Sequence, residues 1–147
     1  MTVIQLPVKT KTWVNFVGIG VWLTGTAWVI VHFLMRAQDP LGFPNDSSEP
    51  LWLKLHGAFA FLSLWTGGML WGIHVVKAWG TRRRRWSGSI LFSALLVLGG
   101  TGYLLYYVGD DGARDAISWA HWVIGIALPL VYLLHRLAKK APRAPDG

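Results

Sequence analysis

The chain has 147 residues, of which 53% are hydrophobic and only 14% charged, with a formal net charge of +7. A charged fraction so far below the roughly 25% of soluble domains, with a mean hydropathy of +0.40, points to one integral membrane domain without a second globular unit. The absence of cysteine excludes thiolate iron–sulfur clusters, covalently attached c-type haem, disulfides and cysteine nucleophiles.

Residues 1–12 form a short polar segment with Pro7, Lys9 and Lys11. The apolar run 13–35 follows. It is too long for the core of a secretory signal and has no convincing cleavage site, so it reads as the first transmembrane helix. Residues 36–50 hold three prolines and several turn formers, which predicts a loop. A second helix is predicted over 51–79 and a third over 87–108, the latter carrying Gly99, Gly100 and Gly102. GDDGARD reads as a second polar loop before a fourth helix over 116–137. Residues 139–147 are basic and proline-containing, and are expected to be disordered. The expected architecture is all-α: an integral membrane four-helix bundle over residues 13–138, running up-down-up-down.

Four crossings place both termini on one side. That side carries Lys9, Lys11, Lys77, Arg82 to Arg85, Arg136, Lys139, Lys140 and Arg143 against Asp146 alone. The other carries Arg36, Lys54 and Arg114 against Asp39, Asp46, Glu49, Asp110, Asp111 and Asp115. The positive-inside rule then expects both termini in the cytoplasm, with the chain as a multi-pass protein of a bacterial inner membrane. The run Arg82–Arg85 reads as a topology and lipid-headgroup anchor rather than a nucleic-acid site. Trp13, Trp52, Trp79, Trp86, Trp119 and Trp122 fall near the ends of apolar runs, where aromatic belts sit.

With cysteine absent, histidine is the remaining borderline-soft ligand, and there are five: His32, His56, His74, His121 and His135. His56 and His74 lie 18 residues apart, about five α-turns, so a continuous α-helix points both the same way, ~27 Å apart along the axis. That nearly spans a ~30 Å hydrocarbon core. His121 and His135 lie 14 apart, about 3.9 turns and ~21 Å. Helices two and four run in the same direction, so the histidines pair by depth: an outer pair His56/His121 and an inner pair His74/His135. A six-coordinate haem iron takes two neutral imidazoles from facing helices, so two haems could stack across the membrane. His32, near the outer end of helix one, is open to several roles: a substitute axial ligand, a propionate partner or a proton acceptor for a quinol. An outer trio His32, His56 and His121 would alternatively suit copper or zinc.

Gly67, Gly68, Gly72 and Gly125, with the glycines of helix three, would admit a flat macrocycle or a close neighbouring helix. Propionates would find Arg36, Lys54 and Arg114 outside and Lys77, Arg82 and Arg136 inside. Pro129 could kink helix four between its histidines. No Asp or Glu interrupts the four apolar runs, as a carboxylate proton relay would want, and no phosphate loop, hydrolase elbow or HExxH motif occurs.

The string LHG…GIHV…TGYLLYYVGD…SWAHW…LLH, with paired histidines on two of four helices, resembles the b-type cytochromes. These include the cytochrome b of quinol-oxidising complexes and the small bacterial di-haem cytochrome b561-like membrane proteins. The likeness covers about residues 51–137, and helix one more loosely. It implies two haem b groups, ligand roles for His56, His74, His121 and His135, and electron transfer with the quinone pool, a periplasmic redox protein or other subunits of a larger complex. The chain departs from the quinol-complex pattern in spacing its first pair by 18 rather than about 14, and from typical small b561 proteins in carrying two histidines on helix two. The expected function is transmembrane electron transfer. The alternative is a non-haem membrane scaffold or partner-binding subunit whose histidines are interfacial.

Overall fold

The computed structural model of the chain describes residues 6–35, 48–79 and 85–137, all but a few of them helical. Helix α1 spans Val8–Ile30 and ends in a π-helical turn, Val31–Met35. Helix α2 spans Glu49–Leu70 and continues through a second π turn, Trp71–Val75, into a closing α-turn, Val76–Trp79. Helix α3 spans Arg85–Tyr107 and helix α4 Asp111–Leu137. All four are long and apolar enough to cross a membrane.

All four helices begin earlier than hydropathy suggests, because polar end residues are helix starters rather than loop residues. Pro7 precedes α1 and its carbonyl accepts the Lys11 N–H at 3.0 Å. Glu49 and Pro50 open α2, an acid and a proline in the first turn, where orphan N–H groups and the helix dipole favour both. The clearest revision is at GDDGARD. Asp110 Oδ1 accepts the Ala113 N–H at 2.8 Å, and its carbonyl accepts the Arg114 N–H at 2.9 Å. This side-chain cap starts α4 at Asp111, so Asp111 to Asp115 belong to the helix. The expected loops over 36–47 and 80–84, the tail 139–147, and Arg36 and Arg82 lie outside the described residues.

Cross-helix contacts fix the directions. Trp13 Nε1 donates to Thr66 Oγ1 at 3.0 Å, tying the start of α1 to the later half of α2. Tyr132 OH and Arg136 donate to Asn15 Oδ1 at 2.8 and 3.2 Å, tying the end of α4 to the start of α1. A Cβ on Gly67 would strike Leu95, and one on Gly99 would sit 2.9 Å from Leu64, so α2 and α3 interlock through glycine-and-leucine notches. The order around the bundle is therefore α1, α2, α3, α4, with up-down-up-down direction. The closest packing lies within two hairpins, α1 with α2 and α3 with α4. Helices α2 and α4 stand diagonally opposite.

Among the described residues the buried ones are few: Val17, Thr24 and Val31 on α1 and its π turn, Thr66 and Gly67 on α2, and none on α3 or α4. The outward faces are strongly apolar, with Phe61, Trp86, Tyr106 and Leu130 all well exposed. Hydroxyls within the helices satisfy themselves on the preceding turn: Thr24 on the Gly20 carbonyl, Ser63 on Phe59 and Thr101 on Val97.

Pro129 sits inside an unbroken α4. The irregularity falls on α2 instead. In its π turn the Val76 N–H reaches back five residues to the Trp71 carbonyl. Such a turn winds in more residues than an α-turn. It shortens the span between His56 and His74 and rotates His74 out of the five-turn register that a continuous α-helix would give. The single-face expectation for helix two is corrected accordingly, and the turn takes up part of the mismatch with the 14-residue spacing of α4.

Candidate functional site

His56 on α2 and His121 on α4 meet across the diagonal of the bundle. Their ring centres are 6.2 Å apart and their planes lie at 89°. Both rings are half-buried, and each is held from the other helix of its own hairpin. His56 Nδ1 lies 3.0 Å from the Val21 carbonyl and 3.4 Å from Thr24 Oγ1, both on α1. His121 Nδ1 lies 2.8 Å from Thr101 Oγ1 on α3.

These partners assign the tautomers. A carbonyl can only accept, so His56 Nδ1 carries the proton. Thr101 has one hydroxyl proton, and it is committed to the Val97 carbonyl at 2.7 Å. Thr101 Oγ1 therefore accepts from His121 Nδ1, which carries the proton as well. In both neutral rings the lone pair is on Nε2, and among the described residues no hydrogen bond reaches either Nε2.

Glycine sets how closely the rings approach. A Cβ on Gly25 would stand 2.8 Å from His56 Cε1 and 3.0 Å from Nδ1, so the ring lies in the notch that this glycine leaves in α1. A Cβ on Gly102 would stand 3.4 Å from His121 Cε1. Further along α3 and α4 the hydroxyl contact recurs, with Ser87 Oγ 2.8 Å from His135 Nδ1, while a Cβ on Gly88 would meet its Cε1 at an ordinary 3.9 Å. His74 sits half-buried in the π turn of α2.

His32 stands apart from this arrangement. Its Nδ1 is 2.7 Å from Glu49 Oε1, its ring stacks on Trp28 with centres 4.6 Å apart at 19°, and Phe33 meets it edge-on. The expected outer trio is thus not assembled. Among the described residues no group of three or more His, Cys, Asp or Glu side chains could hold a metal ion. Of the expected propionate partners, Arg136 lies on Asn15 and over the Tyr132 ring.

Thr24, Gly25, Ser87, Gly88, Thr101 and Glu49 are not distinguished as site residues by hydropathy or histidine spacing. A signal was present in the repeated small-hydroxyl–glycine step, Thr-Gly or Ser-Gly. On α3 the two copies, Ser87–Gly88 and Thr101–Gly102, are 14 residues apart, the same separation as His121 and His135 on the antiparallel α4. Searches of protein-family models, curated proteins and solved structures find no match to this chain.

Proposed function

We propose that the chain is a membrane di-haem b-type cytochrome that passes electrons between the two faces of a bacterial inner membrane. The observation that carries this reading is the His56–His121 pair, with both Nδ1 protons committed and both lone pairs on Nε2. His56 and His121 would each supply one imidazole to a metal centre held between α2 and α4. Their ring centres are 6.2 Å apart. Each Nε2 lone pair can accept from a donor or bind a Lewis acid. Haem suits the donor set better than bare copper or zinc. A bare ion wants three or four protein ligands, whereas haem brings its own equatorial nitrogens and asks the protein for two.

In this reading His56 and His121 hold the outer haem, and His74 and His135 hold the inner one. Bound haem supplies one-electron redox chemistry. The chain's own residues do the rest. Helices α2 and α4 present the imidazoles, and Val21, Thr24, Thr101 and Ser87 fix their Nδ1 atoms. The apolar helices keep the interior away from bulk water. The charge asymmetry supports cytoplasmic termini. A quinone or a periplasmic redox protein is the proposed exchange partner.

The test is a pyridine-haemochrome count on purified protein, with reduced-minus-oxidised spectra. Two haems per chain are expected. Protein without haem and without a reducible Soret band overturns the proposal and leaves a membrane scaffold with interfacial histidines. If haem is present, His74→Ala and His135→Ala should each remove the same one, and His56→Ala and His121→Ala the other.

A further inference from the structure

The two Ser/Thr–Gly steps of α3 carry an inference that rests on the di-haem reading and deepens it. Thr101–Gly102 and Ser87–Gly88 face His121 and His135 in one antiparallel register: 14 residues back along α3 matches 14 residues forward along α4. At both levels a hydroxyl oxygen stands 2.8 Å from Nδ1. At both levels the next residue is a glycine, and the nearest approach of a built Cβ to the ring is 3.4 or 3.9 Å. The hydroxyl contact to Nδ1 is the feature that recurs at both histidine levels of the hairpin.

We propose that α3 is a positioning helix, with Thr101 and Ser87 as the positioning residues that hold the α4 imidazoles in the Nε2-ligating tautomer at the two levels. Each hydroxyl accepts the Nδ1 proton. That bond fixes the ring's rotation and adds electron density to Nε2, the effect that outer-shell acceptors have on metal-bound histidine. At the level of His121 the acceptor role is forced, because the Thr101 proton is already given to Val97. At the level of His135 the Ser87 hydroxyl turns to accept when Nε2 is the ligand atom. His56 has the Val21 carbonyl at 3.0 Å and the Thr24 hydroxyl at 3.4 Å, whereas His121 has the Thr101 hydroxyl at 2.8 Å beside a backbone bond to Leu98. The close side-chain acceptor is thus on α3, where a single conservative substitution can change it.

The experiment pairs two readouts on the full-length chain in detergent or nanodiscs. The first needs no haem. Ring nitrogen-15 shifts of histidine-labelled, haem-free protein report each tautomer. Wild type should show His121 protonated on Nδ1, Thr101→Val should lose that preference, and Thr101→Ser should restore it. The second is a spectroelectrochemical titration of the haem-loaded protein. Loss of the acceptor weakens donation to ferric iron, so Thr101→Val should raise the outer potential. The expected change is threefold to tenfold in the ferric-to-ferrous affinity ratio, at ~59 mV per tenfold for one electron. The inner potential should not move, and Ser87→Ala should give the mirror result. Unchanged tautomers and potentials in Thr101→Val, an equal shift of both centres, or failure of Thr101→Ser to rescue would overturn the proposal. If wild type binds no haem yet shows the Thr101-dependent tautomer, positioning stands and the di-haem reading falls. If haem binds and Thr101→Val leaves the outer centre unchanged, the di-haem reading stands and positioning falls.

Discussion

Gly25→Ala is a one-carbon probe of the His56–His121 site. A methyl there would lie 2.8 Å from His56 Cε1, 3.0 Å from Nδ1 and 3.6 Å from Nε2. Ordinary contact begins near 3.4 Å, so the ring must retreat by about 0.6 Å. Metal–ligand distances tolerate only about 0.2 Å, and the retreat also pulls Nδ1 from the Val21 carbonyl, now 3.0 Å away. Loss of ligand positioning of this kind costs about 10–100-fold in metal affinity, so haem per chain should fall from two toward one, with the outer centre's spectrum missing. Helix stability is not the confounder, because alanine in place of glycine favours a helix interior by about 1 kcal/mol. Gly18→Ala, also on α1 with nothing within 4 Å of its Cβ, and Gly88→Ala, with 3.9 Å to His135, are the matched controls and should keep both haems. Full occupancy in Gly25→Ala with an unaltered outer spectrum would refute the placement of His56 at a ligand site.

Glu49→Gln removes the charged partner of His32, a pair with side chains 25% and 18% accessible. For a partly exposed pair the cost should stay near 1 kcal/mol or below. The measurement is amide hydrogen exchange at Val31 to Leu34, expected to quicken by up to about fivefold with haem content unchanged. Loss of haem in this variant would restore His32 to the ligand set. Topology is open to cysteine labelling, since the chain has no native cysteine. A single cysteine at Lys9 should react only from the cytoplasmic side, and one at Asp110 only from the outside. Labelling of both from one side would invalidate the crossing count.

What the amino-acid pattern revealed was long-period and apolar. The number of helices, their alternation and the repeated histidines all follow from runs that hydropathy detects at sight. Helix starts were hidden because Asp110, Asp111 and Glu49 look like loop residues; at α4 the start shows only in the bond from the Ala113 N–H to Asp110 Oδ1. The π turn at Trp71–Val75 was invisible for a different reason. WGIHV is as apolar in a π turn as in an α-turn, so nothing in its composition marks the change of phase. His32 invited a ligand role only while Glu49, its partner, was assigned to a loop. Gly102 reads from the sequence as room for a macrocycle or a neighbouring helix, but the Thr-Gly and Ser-Gly steps carry no mark as a repeat. Their relation to histidine depends on which helix faces which, and that is a tertiary fact.

The uneven packing of the bundle bears on how the molecule comes together. Each hairpin is closely packed within itself, while contacts between the hairpins are sparser. The His56–His121 approach is the place where α2 of one half meets α4 of the other. An occupant bonded to both rings would act as a clasp between two preassembled halves, and its binding free energy would appear as cohesion of the whole.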